Sequence, residues 1–98
     1  MAEIRWADEA VRWLHDIHDY ISNDSSISAQ KVVTGIYDRT QILARFPEIG
    51  YIFRKEKDGM VRILLFGHYR IAYFVRNDES VTILGVFHSA LDILRYNI

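Results

Sequence analysis

The sequence predicts an α+β fold in which an N-terminal helical hairpin packs on a mainly antiparallel sheet, with a short helix at the C-terminus. Two amphipathic helical patterns come first, over residues 8–24 and 26–46. β-rich runs follow up to residue 88, divided by the turn signals Gly67-His68 and Asn77-Asp78-Glu79-Ser80. Runs of helices followed by runs of strands are typical of α+β architecture, because an antiparallel sheet can carry all of its helices on one face.

The first helix follows a short predicted strand at residues 3–6. Asp8 is placed to cap this helix, and Glu9 lies in the first turn, where the helix dipole favours negative charge. Apolar residues recur at three- and four-residue spacing along one predicted helix face: Ala10, Trp13, Leu14, Ile17 and Ile21. This spacing predicts an amphipathic helix with one buried stripe.

The second helix is expected after the polar stretch at residues 22–28, with Ser26 or Ser28 as its cap. Pro47 and Gly50 are expected to end it. A single stripe again carries the core candidates: Ala29, Val32, Val33, Ile36, Thr40 and Leu43. Because little separates the two helices, they should form a hairpin.

Four strands are predicted after the hairpin, at residues 51–54, 60–66, 69–76 and 81–88. Alternation along the third of them places one set of residues on an apolar face: Tyr69, Ile71, Tyr73 and Val75. The other face receives Arg70, Ala72, Phe74 and Arg76. Alternation along the last strand places His88 on one face with Thr82, Leu84 and Val86. After it, Ser89 and Asp92 match a capping box for a helix of about two turns.

Length and composition limit the functional classes. Ninety-eight residues predict one domain, over residues 1–98. The chain has no cysteine, which excludes disulfides and thiolate metal sites. No apolar run approaches the roughly 18 residues of a membrane span, and the N-terminus lacks an apolar signal core. We therefore expect a cytoplasmic protein with no membrane partner, no metal and no small-molecule cofactor.

The net charge of −1 conceals an asymmetry along the chain. Residues 1–50 carry a balance of −3, whereas residues 51–98 carry +2. The segment from Arg54 to Arg76 has six cations and two acids, a balance of +4. A local basic patch predicts an anionic partner at one face, and a solvated charged rim is the alternative interpretation.

Three motifs together carry a resemblance to a known family. They are the Phe46-Pro47-x-x-Gly50 turn, the strand Tyr69-Arg70-Ile71-x-Tyr73, and the Val-x-Ile-Leu-x-Val-x-His run that ends at His88. Their order and spacing resemble the RelE/ParE superfamily, the toxins of type II toxin–antitoxin modules, also known as plasmid stabilisation proteins. The resemblance covers essentially the whole chain. It implies a small α+β domain, a cognate antitoxin as partner, and growth inhibition when the antitoxin is lost.

The superfamily divides by target. RelE-like members are ribosome-dependent mRNA endonucleases (mRNA interferases), and ParE-like members act on DNA gyrase. RNA cleavage without a metal requires activation of the 2′-hydroxyl, stabilisation of the charged phosphate and protonation of the leaving oxygen. If this chain is such a nuclease, the resemblance implies Arg70, His88 and Tyr96 as its catalytic residues.

Five further cations are candidates for contacts to nucleic acid or to another target: Arg54, Lys55, Lys57, Arg62 and Arg95. Nuclease members carry a basic run after the last strand, where this chain has Ser89-Ala90-Leu91. This difference favours a ParE-like toxin that acts on gyrase, and mRNA cleavage at the ribosome is the alternative. A protein that acts only by binding needs no catalytic group, and the helical hairpin is a plausible docking surface for an amphipathic antitoxin segment.

Overall fold

A computed structural model describes residues 2–88 and confirms the α+β fold. Its elements in chain order are β1 (Ile4–Trp6), α1 (Asp8–Ser22), α2 (Ser26–Thr40), a 3₁₀ turn (Gln41–Ala44), β2 (Tyr51–Glu56), β3 (Gly59–Phe66), β4 (Tyr69–Arg76) and β5 (Val81–His88). The predicted helix that begins at Ser89 lies outside the described residues. Neither described helix is long and apolar enough to cross a membrane.

The strands form one five-stranded sheet in the order β1-β5-β4-β3-β2. β1 runs parallel to β5, and the other neighbours are antiparallel. β3, β4 and β5 are joined by short turns, the first of which uses Gly67 at a φ of 56°. β2 therefore lies at one edge of the sheet, and the three-residue β1 lies at the other.

The two helices pack on one face of the sheet, called here the hairpin face. Its buried core joins residues of both helices, of the 3₁₀ turn and of β3, β4 and β5: Ala10, Ile36, Leu43, Leu64, Ile71, Tyr73, Val75, Val81, Ile83 and Val86. The predicted stripes are confirmed, since Ala10 is buried in α1 and Ala29, Ile36 and Thr40 are buried in α2. Burial of this apolar surface is the main force that holds the hairpin on the sheet.

The helix ends differ from the prediction. Asp8 is the first residue of α1, and the cap position belongs to Ala7, which makes no side-chain cap. Ser25, rather than Ser26 or Ser28, caps α2, and its hydroxyl accepts the backbone N–H of Ser28 at 3.1 Å. α2 ends at Thr40 because the chain tightens there into a 3₁₀ turn before Pro47 is reached.

Two β-bulges change the direction of side chains. Leu84 is an extra residue in β5, because Ile83 pairs with Tyr73 while Gly85 pairs with Ala72. Phe53 is likewise the extra residue in β2. The prediction that His88 shares a face with Thr82, Leu84 and Val86 is therefore wrong. Val86 and His88 lie opposite Ile71 and Tyr69 on the hairpin face, whereas Thr82 lies opposite Phe74 on the other face.

The face opposite the hairpin has a small core of its own. Ile63, Ala72 and Phe87 are buried there. The two bulge residues, Phe53 and Leu84, pack against this core together with Trp13 of α1. The Trp13 and Phe87 rings lie 4.8 Å apart. Both bulge residues thus add apolar groups to this second core.

Candidate functional site

Arg70 and His88 lie on opposite faces of the sheet. His88 is paired with Tyr69, and Arg70 is paired with Phe87. Directly opposed residues of antiparallel strands point to the same face, and successive residues point to opposite faces. His88 therefore points to the hairpin face and half-buried Arg70 to the other. These two proposed catalytic residues do not face a common phosphate.

His88 belongs to a small aromatic group at one end of the sheet. Its ring meets Tyr69 edge-on at 5.6 Å and lies 6.1 Å from the ring of His68. Burial raises the pKa of the Tyr69 hydroxyl above its usual value. His88 itself is exposed.

The Arg62 side chain is hydrogen-bonded to the turn before β2. It lies opposite Tyr73 on the hairpin face. Its Nη1 donates to the carbonyl oxygens of Glu48 and Gly50, at 3.0 and 2.7 Å. A guanidinium bonded to two backbone carbonyls has less freedom to meet a phosphate, and in the structure these bonds tie Arg62 to the turn.

The Tyr73 hydroxyl is hydrogen-bonded to the same turn. Its buried hydroxyl donates to the carbonyl oxygen of Pro47 at 2.8 Å and accepts the N–H of Gly50 at 2.9 Å. Burial raises the pKa of Tyr73, opposed by the Gly50 hydrogen bond and by the charge of Arg62. Two motifs of the sequence, the Pro47-x-x-Gly50 turn and the Tyr69-Arg70-Ile71-x-Tyr73 motif of β4, therefore meet in one hydrogen-bonded unit.

A row of five directly paired residues crosses the face opposite the hairpin. It runs Arg5, Thr82, Phe74, Val61 and Arg54, with one residue from each strand in the order β1-β5-β4-β3-β2. Arginines stand at both ends of the row. Because neighbouring strands lie about 4.8 Å apart, the two terminal Cα atoms are separated by about 19 Å. We call this arrangement the cross-sheet row.

A concavity of about 390 Å³ lies over one half of the cross-sheet row. Val61, Phe74 and Leu84 supply apolar lining. A second cleft, of about 500 Å³, extends over the other half toward Arg5. The two concavities share Arg76 and Thr82.

Arg76 stands where the two concavities meet. Its Cζ lies 5.4 Å from the centroid of the Phe74 ring, a cation–π distance. Its Nη1 donates to the Thr82 hydroxyl at 2.9 Å. Among the described residues, it forms no ion pair within 4 Å. A cation held over an aromatic ring is suited to bind a planar or anionic group.

The other predicted cations are dispersed. Arg54 and Lys57 line the first concavity with Glu56 and Asp58, and Arg54 Nε lies 2.6 Å from the Glu56 carboxylate. Lys55 is exposed and lies opposite Met60, which directs it to the hairpin side. Tyr96 and Arg95 lie outside the described residues.

Sequence reasoning did not propose Phe74, Arg76, Thr82 or Arg5 as site residues. Strand alternation did place Phe74 and Arg76 beside Arg70 on one face, which was the available signal. The alignment of Arg5 with Thr82 depends on the pairing of β1 with β5, and no local pattern contains it.

Comparisons with known proteins agree with this fold. The chain resembles a structure of the chromosomal ParDE TA system from P. aeruginosa, with a TM-score of 0.72 and 22% identity over 90% of this chain and 96% of that one. It also resembles a chain of the toxin–antitoxin complex RelBE2 from Mycobacterium tuberculosis, with a TM-score of 0.66 and 23% identity over 89% and 96% of the two chains. A search of curated protein sequences finds no match.

The family comparison extends over most of the chain. The model described as "ParE toxin of type II toxin-antitoxin system, parDE" matches residues 4–93. The match spans every helix and strand found within residues 2–88, and it confirms the resemblance that the sequence motifs indicated. The chain therefore belongs to the ParE toxin family of type II toxin–antitoxin systems.

Proposed function

We propose that this ParE-family chain inhibits growth by acting on DNA gyrase in the cytoplasm, and that a cognate antitoxin neutralises it. The observation that carries the choice of target is the placement of Arg70 and His88 on opposite faces of the sheet. A metal-free nuclease needs a cationic group and an acid–base group around one phosphate. A toxin that acts by binding to an enzyme–DNA complex needs neither.

The antitoxin is proposed to dock on the helical hairpin. A groove of about 270 Å³ runs between α1 and α2, lined by Val11, Leu14, His15, His18 and Val33. Amphipathic helices bind such grooves through apolar side chains at helical spacing. The structural relatives support this partner class, since both are described as toxin–antitoxin systems or complexes.

Co-expression with the neighbouring small reading frame tests the antitoxin. We expect the two chains to copurify and growth to recover. Val11→Asp, at a groove residue that is 40% exposed, should abolish copurification, because a charge in the groove must be desolvated on docking. Arg12→Ala, an exposed change on the same helix, is the control. Failure of the neighbour to bind or to restore growth would contradict the proposal.

The target is tested by inducing the toxin and measuring two outputs. We expect inhibited supercoiling by purified gyrase and induction of the DNA-damage response, with His88→Ala retaining both. The 5′ ends of cellular mRNA should show no codon-positioned cuts. Rapid mRNA cleavage that disappears in Arg70→Ala and in His88→Ala, with supercoiling untouched, would overturn the assignment in favour of the mRNA endonuclease.

A further inference from the structure

We propose that the cross-sheet row is a binding track for a single strand of nucleic acid, with a base stacked at Phe74 and phosphates held by Arg5, Arg54 and Arg76. The inference deepens the proposed function and rests on it for the identity of the strand, which would be DNA held by gyrase. The chemistry of the track itself is independent of that target.

The first argument is that one line of paired residues carries a cation at each end and apolar groups between them. Arg54 and Arg5 end the row, and the Phe74 and Val61 side chains lie between them. A stacked strand advances about 3.4 Å per nucleotide, so a row about 19 Å long accommodates about five nucleotides. Proteins that bind single strands combine an aromatic platform with cations that follow the backbone.

The second argument is that the Arg76 side chain is exposed and held in one orientation. Arg76 is exposed and is oriented by Thr82 and by the Phe74 ring. A guanidinium fixed in this way loses less conformational entropy when it binds a phosphate. A base that enters beside Phe74 would share the apolar lining provided by Val61 and Leu84.

The carboxylates near the row do not oppose this inference strongly. Arg5 pairs with Glu3 at 3.1 Å and Arg54 with Glu56 at 2.6 Å, and the side chains of both pairs are at least 41% exposed. Exposed pairs of this kind contribute little and exchange readily. Asp78 is an anion beside the row: hydrogen bonds from Ser80, followed by the charge of Arg76, lower the pKa of its exposed carboxyl, and a phosphate would compete with it for Arg76 in solvent.

The test measures binding of the purified full-length chain to fluorescent 12-nucleotide probes by anisotropy across a salt series. The probes are oligo-dT, oligo-U and a blunt DNA duplex. We expect single strands to bind more tightly than the duplex. Arg76→Ala and Arg5→Ala should each reduce the slope of log K against log salt by about 0.7, the value for one lost phosphate contact on a single strand.

Phe74→Leu separates stacking from charge. It keeps an apolar side chain at a half-buried position, and it should weaken binding about 5-fold or more while leaving the salt slope unchanged. Arg12→Ala on α1 removes the same charge as Arg76→Ala at an exposed site away from the row, and it should change affinity less than 2-fold. Thermal melting of each variant verifies that it is folded.

The track would be overturned by no binding of single strands at low salt, or by equal losses of affinity in Arg12→Ala and Arg76→Ala. A preference for the duplex that does not depend on Phe74 would also overturn it. Preference for oligo-dT supports DNA as the strand. Tighter binding of oligo-U supports the track but assigns the strand to mRNA. If the chain inhibits gyrase but does not bind single strands, the track is contradicted and the proposed function stands. If it binds single strands but does not inhibit gyrase, the proposed function is contradicted and the track stands.

Discussion

Arg70 and His88 project from opposite faces of the same sheet, although their strands are hydrogen-bonded neighbours. His88 meets Tyr69 and His68, whereas Arg70 is paired with Leu65 and Phe87. The bulge at Leu84 contributes to this separation, because regular alternation from Thr82 would have placed His88 on the Arg70 face, whereas the shifted register pairs His88 with Tyr69. A shared catalytic role for this pair has no geometric support in the described residues.

The first prediction is that the effects of Arg70→Ala and His88→Ala are additive. Two free-energy changes should be additive in the double variant within about 0.5 kcal/mol: the change in the free energy of unfolding, and RT times the change in the logarithm of the toxin concentration for half-inhibition of gyrase. If the two residues instead acted together on one phosphate, they would behave as a unit, and the double variant would be hardly less active than the less active single variant. Tyr69 and His88, whose rings touch, provide the control pair with measurable coupling in stability.

The second prediction concerns the hydroxyl of Tyr73. Tyr73→Phe removes both of its hydrogen bonds and leaves the Pro47 carbonyl and the Gly50 N–H without this partner in a buried site. We expect a loss of about 2 kcal/mol in the free energy of unfolding, measured by urea denaturation. Tyr20→Phe, at a side chain that is 80% exposed, should change stability by less than about 0.5 kcal/mol. Equal stability of the two variants would contradict the role of Tyr73 in holding the turn.

The third prediction is a loss of stability at alkaline pH. Burial raises the pKa of Tyr73 and of Tyr69, so the folded state keeps these protons to a higher pH than the unfolded state does. The contribution is fully present below the unfolded tyrosine pKa of about 10 and is lost as pH rises through the folded values. Urea titrations between pH 8 and 11 should show this decline, and Tyr73→Phe should make it shallower. An identical slope in the variant would refute the assignment.

The fourth prediction compares two glycines. A Cβ at Gly50 would lie 2.6 Å from the Ile63 carbonyl oxygen and 2.7 Å from the Tyr73 hydroxyl. Gly50→Ala should therefore lower the free energy of unfolding by about 3 kcal/mol. The added Cβ would push the turn away from the Ile63 backbone and break its hydrogen bonds to Tyr73. Gly67→Ala has free space but a φ of +56°, and it should cost about 1 kcal/mol. Denaturation midpoints test the order, and a larger loss at Gly67 would reverse it.

Much of the fold could be predicted because it depends on local periodicity. The stripe that includes Ala10 and the stripe that includes Ile36 both became buried helix faces. The alternation of β4 was also correct, with Ile71 and Tyr73 in the hairpin core. Helix caps were less accurate, since Ser25, Ser26 and Ser28 are chemically equivalent and only the backbone at Ser25 is extended.

The candidate site was less predictable. Arg70, Arg54 and Lys57 were identified from charge and motif, and the last two do line a concavity. Arg62 was predicted to bind the target, and in the structure its guanidinium donates hydrogen bonds to the carbonyl oxygens of Glu48 and Gly50. A sequence shows that an arginine is present and cannot show which carbonyls will be within its reach.

By itself the sequence determined the helical hairpin, the strand order in the chain and the two faces of β4, because each follows from the spacing of apolar residues within about twenty positions. Only the tertiary structure decided that Arg5 aligns with Arg54 across five strands and that the bulge at Leu84 directs Val86 and His88 toward the hairpin. Register between strands is fixed by hydrogen bonds and packing between residues far apart in the chain, and one inserted residue reverses every side chain beyond it.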